Sequence, residues 1–507
     1  MSGEVLQLAQ SYQLEFAKCD SNQKYHYAAL RLAQRLASLT LTSFKKGAET
    51  AQDVLLMLDP SVHTMVYAYA LFARIATAPS TSTASDSFRP GGNIWKLICH
   101  FLENADPVQL RYVGEQWSHI VDFVASMARL AGTPEAAIEP ILSALYRLDP
   151  NTGTFTMAHL CFVQLCVETR NYAAAEPILA NYIHAVNPSI PDLVESLEYS
   201  APAEDHDSSA EYIKAGSGHA GKVTIQAVQE YYLLGTTAYL GLRKFKKARD
   251  FVEHVLVMPY SNGAANGFLI EAYKKWLLLS CLVDGVVPPL PRSTNNAAMR
   301  AVKAVSKAYE ALADAFKNRG NVRKLRAMIN AGRDTWLEDG NYGLVNELLD
   351  GQYRIFISQL SQTYSAIPIS KISSWDATLE SDELAGYLEK LIREGYINAK
   401  LETSSSKPEM GVVLRFFMDA REGPQAKSEK QQQQALVEQT QRTQKLAQQV
   451  QSAHYRVGVQ DEYVEYVVRQ NKKAAATAGD PMDLGQYEDV EVAGAAMDAH
   501  DEDLMGD

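Results

Sequence analysis

The stretch SDELAGYLEKLIREGYINAKLE, residues 381–402, decides the fold. Ser381 suits an N-cap, because its hydroxyl can accept from an orphan backbone N–H, and Asp382 and Glu383 then fall in a first turn whose dipole favours acids. Leu384, Tyr387, Leu388, Leu391 and Ile392 follow three and four apart, an apolar stripe along one helix face. Lys390 and Arg393 come late, and Gly395 supplies the stop. Beyond it the period shortens to two: Ile397, Ala399 and Leu401 alternate with Asn398, Lys400 and Glu402. A loop of Ser, Pro and Gly leads to a second run, Val412 to Phe417, so the segment reads as a hairpin. Ile367, Ile369 and Ile372 lead into the helix from upstream. A helix followed at once by a two-stranded wing is a winged helix.

Working outward toward the N-terminus, most of the chain up to about Tyr364 has helical period, for example over 25–39, 53–77 and 111–131. The breaks at 78–93, 187–221, 258–267 and 285–296 are rich in Ser, Pro, Gly and Asn and read as loops or insertions. Two segments share one logic. An apolar helix over 155–167 meets a turn at Arg170-Asn171-Tyr172 and resumes over 173–183; a helix over 223–242 meets Arg243-Lys244-Phe245 and resumes over 246–257. Each places an aromatic three residues before a small one, Tyr172 with Ala175 and Phe245 with Ala248. That is the step of helix-turn-helix repeats, in which the aromatic closes the turn and the small residue lets two helices approach. The reading is a stack of tetratricopeptide-like helix pairs; an irregular helical bundle is the alternative.

Toward the C-terminus the composition turns to Gln after Pro424. Leu436, Gln439, Thr443, Leu446, Val450, Ala453 and Val457 form a weak heptad that needs partner helices to bury it, with Tyr463, Tyr466 and Val467 extending the apolar side. A solvated Gln-rich segment is the alternative there. Residues 474–507 hold ten acids and no Lys or Arg, so the net charge of -12 sits mostly there and the remainder carries -2. This reads as a folded body with a disordered acidic end, and it gives no overall electrostatic case for nucleic acid. A hydrophobic fraction of 47% with 21% charged residues is globular. No apolar run approaches the roughly 20 residues needed to cross a bilayer. Glu4 stands among the first residues with no basic cluster before an apolar stretch, so no secretory signal is expected. Five cysteines in a chain of 507 residues point to reduced thiols and hence to the cytoplasm and nucleus.

Chemistry-bearing motifs are sparse. Gly216, Gly218 and Gly221 fit G-x-G-x-x-G with Lys222 next, but Val223 stands where a hydroxyl should hold magnesium and no strand pattern precedes; we read a flexible insertion. Cys161 and Cys166 lie in an apolar helix without a second ligand pair and read as core residues, and no H-x-H or H-E-x-x-H occurs among the histidines. No catalytic residue, cofactor or metal is assigned. The helix 382–394 has four acids against two bases and would repel a phosphate backbone. Basic residues cluster instead at Arg243, Lys244, Lys246, Lys247 and Arg249, and at Lys317, Arg319, Arg323, Lys324 and Arg326; they read as solvated faces or contacts with acidic neighbours rather than an RNA surface.

Helical repeats, a winged helix and a terminal helix in that order resemble the PCI family, named for the proteasome lid, the COP9 signalosome and initiation factor 3. The run from Ile369 through Glu389-Lys-Leu-Ile-Arg-Glu-Gly-Tyr-Ile-Asn-Ala-Lys-Leu-Glu402 looks like its winged-helix signature, and Tyr231 to Ala248 with Leu269 to Ser280 looks like its signalosome branch. The resemblance implies a mainly α fold: N-terminal helical repeats over 1–150, tetratricopeptide-like repeats over 151–340, the winged-helix part of a PCI domain over 341–420 and a bundle helix over 425–472; the insertion near 187–221 and the disordered tail over 474–507 are departures from the family pattern. It implies a non-enzymatic scaffold that pairs through its wing and joins a shared helical bundle. Its expected partners are other PCI and MPN-type subunits of a signalosome and, indirectly, the cullin-RING ligases from which that complex removes Nedd8; no membrane and no nucleic acid are expected. The assembly positions are Ile397, Leu401, Val412 and Leu414 in the wing and Leu446, Val450 and Val457 in the terminal helix. A scaffold of the proteasome lid or of initiation factor 3, and a nucleic-acid-binding winged-helix protein, are the alternatives.

Overall fold

The computed structural model describes residues 3–45, 50, 53–77, 86–186, 201–206, 208–214, 216–221, 223–259, 266–317, 322–375, 381–403, 412–419 and 421–478. The chain divides into two units, residues 1–189 with 200–438, and residues 190–199 with 439–507. The expected acidic tail falls outside the described residues except for 474–478, which are helical as the end of the Asp461–Ala478 helix.

The larger unit is mainly helical and holds two hydrophobic cores. The first runs from Val5 to Leu348 through successive helix pairs, and the second is confined to residues 357–416. One helix, Tyr342–Thr363, belongs to both: Val345 and Leu348 enter the first core, Ile357 and Leu360 the second. Between them Gly351 lies so close to the Gly267–Asp284 helix that a Cβ there would stand 2.4 Å from a methyl of buried Leu282.

The two repeat turns form as their sequence implies. Arg170 and Arg243 take the left-handed backbone conformation, with φ of 56° and 57°. At the second turn the N–H groups of Arg243 and Lys244 donate back to the carbonyls of Leu240 and Tyr239, at 3.0 and 2.9 Å, closing the Ile225–Gly241 helix in a Schellman pattern. The helices that follow begin on the aromatic residues, Tyr172–Leu179 and Phe245–Val257, and Ala175 and Ala248 are fully buried. Tyr172 rests on Gly241, where a Cβ would come within 2.3 Å of its ring, so the absence of a side chain is what lets the first pair dock on the second.

Of the expected insertion, residues 187–200 lie outside the described residues, and the part between 201 and 221 departs from expectation. A composition of Gly, Ser and Asp reads as a mobile loop, yet Ile213, His219 and Ala220 are buried in the repeat core. The Tyr212 hydroxyl donates to the Leu148 carbonyl at 3.0 Å, and Ser209 shares a 2.7 Å hydrogen bond with Thr154. Arg111 lies over the Tyr212 ring and donates to the Glu204 carbonyl at 2.9 Å. One glycine of the pattern serves this docking: Gly218 has a φ of 83° and lies against Gly114 and Glu115, and a Cβ on Gly114 would meet the Ser217 carbonyl oxygen at 2.2 Å. Nearby, β1 (Thr154–Phe155) and β2 (Ala185–Val186) pair in parallel.

The winged helix comprises β3 (Ala366–Pro368), helices Ile369–Trp375 and Ser381–Arg393, β4 (Ala399–Thr403) and β5 (Val412–Phe416). The sheet has three strands in the order β3-β5-β4, both pairs antiparallel, with Leu414 opposite Ile367 on one side and Leu401 on the other. Strand β3 is one that the hairpin reading lacks. Leu384, Leu388 and Leu391 are buried against the sheet, and Gly395 ends the helix at a φ of 82°, with the Tyr396 N–H donating to the Leu391 carbonyl at 3.0 Å. The terminal segment forms two helices rather than one, Glu429–Gly458 and Asp461–Ala478.

Two outcomes follow from this packing. Gly351→Val, which forces a branched side chain against Leu282, should lower unfolding free energy by about 3 kcal/mol in chemical denaturation. Burial holds His159 and His219 neutral, both pushed down to about 4. Their unfolded forms bind protons near pH 6.5, so the stability they confer is complete above that pH and is lost as pH falls toward 4, at no more than about 1.4 kcal/mol per pH unit per histidine. Denaturation at pH 7.5 and pH 5 checks this, and the penalty of His219→Gln should shrink at the lower pH.

Candidate assembly surface

The seven expected assembly positions part into two groups. Ile397 and Leu414 are buried within the winged helix's own core, and Leu401 is half-buried against it. Ile397 and Leu414 are therefore not contact positions. The alternation that singled them out is real, but the face it marks is covered by Leu384, Leu388 and Leu391 of the same subdomain. Val412, at the outer end of β5 opposite Thr403, is 38% exposed. Strand β4 pairs with β5 alone among the described residues, which leaves its other edge open. That edge carries charge: Glu402 lies 3.6 Å from Lys400 and 3.8 Å from Arg415, a pattern that discourages indiscriminate strand pairing.

The terminal helices differ. No residue of Glu429–Gly458 is buried, with Leu446 37%, Val450 67% and Val457 42% exposed. Leu436, Val437 and Tyr455 on the same helix, and Tyr463, Val464 and Tyr466 on the next, are exposed as well. An apolar row of this length on a helix with few compensating charges is a surface made for burial. The spacing of Leu446, Val450 and Val457 is visible in the sequence; Val437 was missed because it lies off the seven-residue repeat, and Val464, in step with that repeat, because it falls on the next helix.

The first basic cluster is largely engaged in ion pairs. Arg243 makes a two-pronged contact with Glu347, both hydrogen bonds 2.8 Å, and this holds the Glu347 carboxyl below its ordinary range. Lys244 and Lys247 share Glu176, lowering its carboxyl in the same way, and Arg249 pairs with Asp284. Lys317, Arg323, Lys324 and Arg326 are exposed, and Arg319 lies outside the described residues. Burial pushes the Cys161 thiol up to about 11 and those of Cys166 and Cys281 up to about 12, so these sulfurs are protonated core groups rather than thiolates. Among the described residues no cluster of His, Cys, Asp and Glu could hold a metal, and no helix is long and apolar enough to cross a membrane.

The family of N-terminal helical repeats of COP9 signalosome complex subunit 3 matches residues 31–298, more than half of the chain. The chain belongs to this family. Signalosome subunit 3 of Emericella nidulans is 28% identical over 368 residues, covering 72% of this chain and 73% of the relative. That of Neurospora crassa is 25% identical over 412 residues, covering 79% and 80%, and that of Arabidopsis thaliana 23% identical over 363 residues, covering 71% and 72%. The subunit 3 repeat match ends before the winged helix, whose assignment rests on its own geometry.

Charge substitutions separate the two groups of positions. Ile397→Asp should unfold the winged helix of the isolated chain, whereas Val412→Asp should leave its unfolding free energy in chemical denaturation within about 0.5 kcal/mol of wild type.

Proposed function

We propose that this chain is a non-catalytic scaffold subunit of a COP9 signalosome, held by its neighbours through the open side of the wing and through the two terminal helices. The exposed apolar row of Leu446, Val450 and Val457 carries this reading, since an isolated chain gains nothing from leaving it in water. Other PCI and MPN-type subunits are the partners that would cover it. The scaffold would support removal of Nedd8 from cullin-RING ligases by the assembled complex, in the cytoplasm and nucleus. The names of the relatives favour a signalosome over the proteasome lid or initiation factor 3.

The test is a pair of charges in the terminal helix. Burying two such side chains contributes about 3 to 6 kcal/mol to an interface, enough to shift binding a hundredfold or more. The Leu446→Asp, Val450→Asp double variant should therefore purify from cells without its neighbours while melting at the wild-type temperature. Retention of all partners at full stoichiometry would refute the scaffold assignment of this helix.

A further inference from the structure

At the joint between the repeats and the winged helix lies a cleft of about 460 Å³ that no assembly contact described above uses. Five cations line it: Arg243, Lys244, Lys246, Lys247 and Arg354. Three of them have acids already, Glu347 for Arg243 and Glu176 for both lysines. Lys246 is exposed and makes no ion pair among the described residues. Arg354 is the unusual one. It is only 7% exposed, yet among the described residues no carboxylate lies within ion-pair distance, and its hydrogen bond to the Leu282 carbonyl is long, at 3.3 Å. Glu347 feels its charge but has both oxygens engaged by Arg243. The guanidinium is held between the rings of Tyr396, 4.4 Å away, and Phe245, 5.5 Å away, and this fixes its plane.

A buried arginine held flat, without an acid, is a preorganised fork for a carboxylate. The rest of the lining is mostly apolar, through Leu282, Val283 and Ile355 beside the two rings. A bare inorganic anion would leave those surfaces wet. A peptide with acidic side chains set between bulky apolar ones would satisfy both. We propose that this cleft is a docking site for an acidic-apolar peptide segment of a partner protein, with one carboxylate on Arg354 and another on Lys246. Its residues are distinct from those of the terminal helices, so a failure here leaves the scaffold reading standing, and the reverse also holds.

The experiment titrates the full chain into a fluorescein-labelled octapeptide alternating glutamate and leucine, followed by anisotropy. Binding should be saturable and weaken with added salt, and the same peptide with glutamine for glutamate should bind about tenfold or more weakly. Lys246→Glu, at an exposed position without an ion pair among the described residues, should weaken binding as well. Arg354→Lys, which keeps the charge but loses the fork, should weaken binding of the glutamate peptide more than that of the glutamine peptide, with circular dichroism confirming that the chain stays folded. Equal binding of the glutamine peptide or of these variants would overturn the proposal, as would saturable binding of pyrophosphate by a chain that ignores the glutamate peptide.

Discussion

The helix Tyr342–Thr363 has to satisfy two cores at once, and the rest of the architecture depends on its doing so. Its first half is a repeat helix, with Val345 and Leu348 buried among the preceding pairs; its second half is a wall of the winged helix, through Ile357 and Leu360. A helix is stiff over this length, so rotation about its axis at one end is passed to the other. Gly351 against Leu282 sets that rotation by close approach, and Arg354, pinned by Phe245 and Tyr396, sets it again by aromatic contact with an element on each side. The winged helix is thereby carried in a fixed relation to the last repeat rather than hung on a linker.

Much of this was legible because it is local. Residues 384–402 carry their own stripe, stop and change of period, and the Gly395 stop forms as the sequence implies. The turns before Tyr172 and Phe245 were legible for the same reason, since an aromatic and an alanine three residues apart encode a contact within a single turn. Periodicity does not say what covers a face, however. Ile397 and Leu414 alternate with polar neighbours in the same way whether their cover is a partner or their own helix, and here it is their own helix. Strand β3 is three residues long and ends in proline, too short for any period to register.

The insertion was misread for a different reason. Its composition is that of a loop, and its buried members among the described residues, Ala201, Ser209, Ala210, Tyr212, Ile213, His219 and Ala220, are too irregularly spaced to form a pattern. Of the glycines that mimic a phosphate loop, Gly218 is required where backbone meets backbone at Gly114 and Glu115. The ion pairs of the basic turn were equally hidden, since Glu176, Asp284 and Glu347 are far away in the chain and only the fold brings them together.

The docked insertion also changes how the repeat stack should come apart. In a simple solenoid each pair touches only its neighbours, so unfolding can begin at an end and proceed unit by unit. The segment from 201 to 221 instead joins Arg111, Leu148 and Thr154, which belong to successive parts of the stack, through its own side chains and backbone. Those units are coupled across a longer reach than adjacency provides, and this part of the solenoid should melt as one cooperative block, without fraying.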